Sequence, residues 1–577
     1  MKNFNEIIAE LLSLLKLKNY KRVEKKTYEL LKIFINNNLL FNILGLSQTE
    51  QLKFIEAEKN FKEGLKFHPE DFSLNNNLGN LYSRLGEHEK AIRYYEMVVK
   101  SGNISAQILN NLGNAQKKLG LFLESLKSYK KAINLNKNLI DSYINCSSLL
   151  TSLGKVSLSL KFLKRALEIS KYDYKIYSRY VGTLLYKNSF DNKIFKSELD
   201  NFKNLLKQNI TQRTSNLKLR LPKVRLGFVS PDFKNHPVGY FLYDLLILIK
   251  NDFDIYAYYN NKIEDNLTIR FRSLFNKWSV ISDINDEEAS ELIKKDKIDI
   301  LFDLSGHTVR NRLGLFMKKP ARVQISWAGF LMSTGLKEID YIIVDPFVVD
   351  KKDKIFFSEK FLIMKNIWCC YSTSDFFKIK PQKLPALNNQ YITFGSFNNL
   401  RKVTSEVIAV WSQILKKIPN SKLLLKTEML NYKFIQQRIL SKFIMYGVGK
   451  DQLILEGSSS REKLLESYNK IDIALDTFPY NGGTTSFELS KMTVPLLTKK
   501  GDSFVSRCGF SINKNLSMDD WIANNNNDYI SKAIKFSKDI NYLLKVKKNL
   551  ATKIDMSPLF DINTFYKDFK NNLFSII

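Results

Sequence analysis

Between residues 37 and 170 the apolar and small positions return every 34 residues. Gly45, Gly79 and Gly113 keep this spacing, and each follows a leucine (Leu44, Leu78, Leu112). Gly86, Gly120 and Gly154 form a second series, Phe61, Tyr95, Tyr129 and Leu163 a third, and Ala132 with Ala166 a fourth. Small residues let two helices approach, and aromatics fill the space between neighbouring pairs. The pattern therefore predicts a solenoid of helix pairs with four copies, and residues 3–36 read as a degraded copy or cap. Serines stand where a smaller residue is usual (Ser125, Ser147, Ser159), which loosens the expected packing of the last two copies. Residues 171–210 continue helical and polar. Periodicity is lost over Thr211–Leu221 and a boundary is expected at Pro222.

From Lys223 the period changes. Val224–Val229, Phe253–Tyr259, Ile298–Leu304, Val323–Ala328 and Tyr341–Val344 read as strands, with helical stretches such as Glu287–Lys295 between them. A second set follows: Tyr391–Phe397, Leu423–Lys426, Leu453–Glu456, Ile471–Leu475 and Val494–Thr498, with Ser405–Lys417 as its clearest helix. This alternation predicts two α/β lobes with parallel sheets and a ligand cleft at the C-terminal ends of their strands. The expected division is residues 1–215 for solenoid and helical linker, 223–385 for the first lobe, and 390–577 for the second lobe with terminal helices. Neither lobe opens with GxGxxG, which argues against a dehydrogenase.

Composition narrows the class. A chain of 577 residues exceeds one core, and 44% hydrophobic residues exclude a disordered protein. The net charge of +31 permits a polyanion partner, but the lysines are scattered, which speaks against nucleic acid. Four cysteines (Cys146, Cys369, Cys370, Cys508) contain no CxxC, so neither a disulfide framework nor a zinc site is indicated. No apolar stretch approaches a membrane span, and the N-terminus reads as an amphipathic helix, not a signal peptide. A reducing cytoplasm is the expected compartment.

The chemistry concentrates in Asp476–Glu488, DTFPYNGGTTSFE, a loop between a strand and a helix. Such a helix start points N–H groups at a phosphate, and its dipole favours negative charge. Gly482 and Gly483 remove side chains that would keep a diphosphate away. Thr484 and Thr485 add hydroxyl donors, and Glu488 can accept hydrogen bonds from a ribose. A plain glycine turn with a capping threonine is the simpler alternative. His236 follows a strand end, as a base or positioning imidazole would, or else caps a backbone carbonyl. His307 follows another strand as a substrate-binding candidate, with Asp303 nearby to fix its tautomer or serve as a catalytic carboxylate that helps position an acceptor; a turn histidine beside a strand-end aspartate is the alternative. Lys402 lies near the first helix of the second lobe, where it can neutralise a diphosphate or remain a surface charge. Asp252 and Asp254 match a metal-binding DxD but precede a strand and read as structural, and Asp345 is given no role. No metal is expected.

These stretches carry a family likeness. Pro69 to Tyr95, with Leu78-Gly79-Asn80-Leu81-Tyr82, Gly86 and Ala91, resembles the tetratricopeptide repeat. Gly227–Pro237, Asp303–Thr308 with Asn311–Gly314, Phe397–Lys402, Asp476–Glu488 and Gly501–Arg507 resemble the O-linked N-acetylglucosamine transferase family, including its bacterial and SPINDLY-like branches. The resemblance implies an α-solenoid of tetratricopeptide repeats followed by the two Rossmann-like lobes of a GT-B glycosyltransferase. It implies an inverting, metal-independent transfer of N-acetylglucosamine from UDP-GlcNAc to Ser or Thr hydroxyls of proteins, which bind through the repeats. It also implies that His236 stands beside the acceptor hydroxyl, that Asn399, Lys402, Thr484 and Thr485 face the diphosphate, and that Glu488 faces the ribose. SPINDLY-like relatives use GDP-fucose, so another nucleotide-sugar is the alternative donor, and an inactive protein-binding scaffold the alternative function. The chain departs from the family pattern at Phe330–Gly335 after Trp327-Ala328-Gly329, and animal members have His and Asp at the positions of Gly483 and Glu488.

Overall fold

A computed structural model describes residues 3–102, 104–207, 223–373 and 378–577. The expected boundary at 211–222 lies outside the described residues. The chain forms two compact units: Met1–Leu150 with Lys161–Ser170, and Thr151–Leu160 with Lys171–Ile577.

The first unit is built from helix pairs: Phe4–Lys16 with Tyr20–Leu31, Asn38–Glu50 with Phe54–Phe67, Phe72–Arg84 with His88–Lys100, and Ala106–Lys118 with Phe122–Leu135. The 34-residue series explains itself in the packing. A Cβ on Gly45 would lie 2.4 Å from the Phe61 ring, and one on Gly79 or Gly113 would lie 2.6 Å from Tyr95 or Tyr129. Each small residue thus admits the aromatic of its partner helix. Gly86 and Gly120 adopt φ of +80° and +79° in the turns between paired helices, which favours glycine there. Ser125 does not loosen its copy, because its hydroxyl donates to the Gly113 carbonyl at 2.7 Å.

The second unit holds two parallel sheets. The first contains β1 (Arg225–Ser230), β2 (Asp254–Tyr259), β3 (Lys277–Val280), β4 (Ile300–Asp303), β5 (Val323–Ser326), β6 (Tyr341–Val344) and β7 (Lys360–Ile363), in the order β3-β2-β1-β4-β5-β6-β7. The second contains β8 (Thr393–Ser396), β9 (Lys422–Lys426), β10 (Leu453–Glu456), β11 (Ile473–Leu475), β12 (Leu496–Lys499) and β13 (Ile522–Ala523), in the order β10-β9-β8-β11-β12-β13. Strand order reverses between β1 and β4 and again between β8 and β11. A crevice opens at the carboxyl ends of such neighbours. The apolar pattern does not predict strands β3, β7 and β13. All three are short edge strands; β3 and β7 are incompletely buried and β13 has only two residues, so none needs a long apolar run.

Two packing features differ from the expected division. Helices Tyr174–Leu184 and Asn192–Lys207 are clamped onto the first lobe rather than continuing the solenoid. Tyr174 donates to Asp286 at 2.6 Å, and Arg312 pairs with the same carboxylate at 2.6 Å. At the other end of the chain, helix Ile562–Phe574 returns to the first lobe, with Phe569 5.4 Å from Trp327. Lys570, 2.7 Å away, and Tyr566 both hold Asp252. The DxD carboxylate at Asp252 is therefore an anchor for this helix, in keeping with its position before a strand. No described helix is long and apolar enough to cross a membrane.

Candidate active site

The second sheet's switch point brings two candidate stretches together. After β8 the chain runs Phe397-Asn398-Asn399 into the short turn Leu400–Lys402; after β11 it runs from Asp476 to the helix Thr484–Lys491. The half-buried Lys402 reaches across and donates from Nζ to the Asn481 carbonyl at 2.7 Å. Its ammonium also sits 4.0 Å from the centre of the Tyr480 ring. Burial pulls its pKa below the ordinary lysine range, while the nearby Asp476 charge opposes that shift.

Asp476 organises the loop. One carboxylate oxygen accepts from the Gly482 and Thr477 N–H groups at 2.7 and 2.9 Å, and the other accepts from the Thr498 hydroxyl at 2.7 Å. The peptide between Phe478 and Pro479 is cis. Helix Thr484–Lys491 begins beyond Gly483 without a side-chain cap; the Ser486 and Phe487 N–H groups donate back to the Gly483 carbonyl at 2.8 and 3.2 Å, which leaves those of Thr484 and Thr485 without an intrahelical partner. Thr484 and Thr485 are half-buried at this opening, and the Thr485 hydroxyl donates to Asn398 at 3.2 Å.

The two glycines serve different ends. A Cβ on Gly482 would meet Ser486 Oγ at 2.4 Å and Thr485 Oγ1 at 2.8 Å, whereas one on Gly483 would meet nothing within 4 Å. Gly482 closes the loop on the helix start, and Gly483 leaves space above it. Gly482→Ala is accordingly expected to lower the melting temperature much more than Gly483→Ala. Thermal melts of both variants check this.

Glu488 is not open to a ribose in this structure. Its buried carboxylate pairs with Arg461 at 2.6 Å and accepts from Tyr468 at 2.7 Å and Tyr371 at 3.2 Å. Burial, and then the Glu488 charge, hold both phenols above the ordinary tyrosine range. Asn399 is exposed; its side chain accepts from the Arg401 N–H and Nε, both at 3.2 Å, and Asn398 lies inward instead.

The first lobe corrects two expectations. His307 is 3% exposed, beneath Phe330, and its Nε2 donates to the Thr334 carbonyl at 2.9 Å. Its Nδ1 therefore accepts from Ser178 at 2.8 Å, and burial lowers its pKa to about 3. Both ring nitrogens are used and the imidazole is neutral, so His307 pins helix Tyr174–Leu184 to the lobe rather than meeting substrate. Asp303 is 1% exposed, and its two oxygens accept from the Ser305 and Gly306 N–H groups at 3.0 and 2.9 Å. Burial raises its pKa to about 7. It holds the turn after β4 from inside the lobe.

His236 stays at the mouth of the first switch point as the N-cap of helix Pro237–Asp252, half-buried, with Nδ1 accepting from the Val238 N–H at 3.4 Å. It caps a helix N–H, not a carbonyl. Burial lowers its pKa, partly opposed by Asp232, whose carboxylate lies 3.6 Å from the same Nδ1. The Phe330–Gly335 stretch is packed into the lobe. The Ser333 hydroxyl donates to Glu359 at 2.6 Å, and the Thr334 N–H donates to the same carboxylate at 2.7 Å. Asp345, which the sequence leaves without a role, is a junction between lobes, accepting from the Trp368 N–H and the Ser511 hydroxyl.

The profile described as Glycosyl transferase family 41 matches residues 191–384 and 378–569, and tetratricopeptide profiles match 60–93 and 106–139. The chain belongs to glycosyl transferase family 41. It is 33% identical over 392 residues to a tomato (Solanum lycopersicum) protein named probable UDP-N-acetylglucosamine–peptide N-acetylglucosaminyltransferase SPINDLY; the match covers 66% of this chain and 42% of the relative. The Arabidopsis thaliana protein of the same name is 33% identical over 353 residues, 60% of this chain and 38% of its own length. The chain thus spans about two fifths of the curated relatives it matches. A solved O-GlcNAc transferase from Thermobaculum terrenum, a lysine-to-methionine mutant, superposes with a TM-score of 0.78 at 25% identity, covering 87% of this chain and 96% of its own. The fold is that of these transferases: a helical repeat region followed by two parallel-sheet lobes.

Within this family 41 site, sequence reasoning missed Asn398, Arg461, Asn481 and the inward tyrosines. Asn398 and Asn481 sit inside the stretches it singled out, but asparagine carries no charge to draw attention. Arg461 starts a helix 27 residues before Glu488, and only the fold brings the two together.

Proposed function

We propose that this chain moves N-acetylglucosamine from UDP-GlcNAc to Ser and Thr hydroxyls of acceptor proteins, with inversion and without a metal. The observation that carries this reading is Lys402, held on the Asn481 carbonyl beside the uncapped start of helix Thr484–Lys491. A leaving diphosphate gathers negative charge as its bond to the anomeric carbon breaks. A fixed ammonium and a helix start are the groups that stabilise such charge. The acceptor hydroxyl forms its bond from the opposite face of the sugar as the bond to the diphosphate breaks, its proton passing to solvent, and we assign His236, the half-buried N-cap of helix Pro237–Asp252, to orient it. The relatives' names support the donor, and the repeats supply the surface for acceptor proteins. Four unpaired, buried thiols fit a cytoplasmic location.

The test is turnover of radiolabelled UDP-GlcNAc and GDP-fucose by the full chain, with and without excess EDTA. UDP-GlcNAc is expected to be hydrolysed and transferred, and EDTA to leave the rate within about twofold. Activity lost in EDTA and restored by Mg²⁺ would overturn the metal-free mechanism. Turnover of GDP-fucose alone would overturn the donor, and turnover of neither would favour a scaffold.

A further inference from the structure

The lysine assigned to the leaving group is held by more than its own loop. Tyr186 follows helix Tyr174–Leu184, outside both sheets, and its ring stacks on Tyr480 with centroids 5.2 Å apart and planes 23° apart. The Lys402 ammonium rests 4.0 Å from the centre of the Tyr480 ring. Its sequence neighbour Arg401 places its guanidinium 5.1 Å from the centre of the Tyr186 ring. Two adjacent cations from one turn therefore grip a pair of stacked tyrosines, one on each ring. The loop end of the stack is braced as well. The Thr477 hydroxyl donates to the Tyr480 carbonyl at 2.7 Å, and the Asn481 N–H donates to the Val505 carbonyl at 2.9 Å.

We propose that Tyr186 is a positioning residue for Lys402, acting through Tyr480. This rests on the reading of Lys402 given above. A lysine has a flexible four-carbon stem, and one hydrogen bond to Asn481 fixes its reach without fixing its direction. The Tyr480 ring supplies a second contact, attractive to a cation, and Tyr186 decides where that ring lies. A donor that is in place before charge develops needs no reorganisation during the reaction, so its value appears in the transition state and hardly in the bound donor. Tyr186 is therefore expected to act on kcat rather than on donor KM. A tyrosine that only docked its helix would act on stability, or on both kinetic constants together.

The experiment is a double-mutant cycle in the full chain, measuring hydrolysis of UDP-GlcNAc, or of GDP-fucose if that is the donor turned over. Tyr186→Leu is expected to lower kcat about tenfold and to leave donor KM within about twofold. Tyr186→Phe keeps the ring and should recover most of the rate. On a Lys402→Ala background, Tyr186→Leu should cost nothing further, because the group it positions is gone. Equal losses in both backgrounds, or a wild-type kcat for Tyr186→Leu, would overturn the inference. If Tyr186→Leu does not fold, Arg401→Gln reads the same column from its other end. A severalfold fall in kcat there, absent on the Lys402→Ala background, supports the inference, and no fall overturns it. A wild-type rate for Lys402→Ala alone would instead remove the leaving-group reading, so the two failures are distinguishable.

Discussion

Lys402→Ala is expected to lower turnover by roughly 10²–10³, equivalent to about 2.7–4 kcal/mol, while the protein remains folded and donor affinity changes far less. The size follows from where the ammonium sits. It is half-buried between the Asn481 carbonyl and the Tyr480 ring, on the loop that leads into a helix start with no side-chain cap. In such a place its charge is poorly screened, and it interacts more strongly with a departing diphosphate than with the bound donor. The depressed pKa adds a second signature. Lys402 stabilises departing charge only when protonated, so turnover should fall as pH rises through a pKa below the ordinary lysine range, and that alkaline limb should vanish in Lys402→Ala. Turnover, donor affinity and melting temperature measured on one preparation check the prediction. A near-wild-type rate would make Lys402 one more solvated lysine.

Much of the architecture is legible in the sequence because it rests on periodicity. The 34-residue series makes the helix pairs legible, although Phe61 packs against Gly45 within a pair, not between neighbouring pairs as the pattern suggests. The second-lobe loop is legible for a similar reason. A strand, a glycine loop and a helix follow one another directly in Asp476–Glu488, so the helix start is evident from local residues. The first lobe is harder to read. His307 and Asp303 follow a strand at a switch point, as catalytic groups do, and nothing in their neighbours reveals which way the turn faces. That direction is set by Ser178, 129 residues upstream of His307, and by Phe330 folding over the ring. Gly306 and Gly329 record the same tight packing: a Cβ on Gly306 would meet Phe330 at 2.3 Å, and one on Gly329 would meet the Leu304 carbonyl at 1.8 Å. Glu488 shows the limit from another side. Its place at a helix start is evident from the residues around it, yet its partner Arg461 is joined to it only by the fold.

Arg507→Ala is expected to destabilise the second unit by about 3–5 kcal/mol, the cost of leaving one member of a buried ion pair alone. Arg507 lies in the loop after β12 and pairs with Asp353 of the first lobe, their side chains only 4% and 6% exposed. The surroundings are built for this pair. Arg507 Nε also donates to the Gly501 carbonyl at 2.9 Å, and Asp353 accepts from the Asp350 N–H at 2.7 Å. Removing the guanidinium strands a carboxylate with too few donors in a place water hardly reaches. Asp353→Asn keeps the shape and removes the charge, so it should leave Arg507 unpaired at a comparable cost. The variant carrying both Arg507→Ala and Asp353→Asn should be more stable than the sum of the single losses predicts, because no charge is then left buried. Ser511 with Asp345 and the Phe347–Phe510 ring pair, at 6.1 Å, join the same two lobes nearby. The clasp is therefore not the sole contact, and the lobes should stay associated when it is broken. Denaturant unfolding of the three variants measures the cycle. Strictly additive losses would show that the pair acts as two independent surface charges, contrary to its burial.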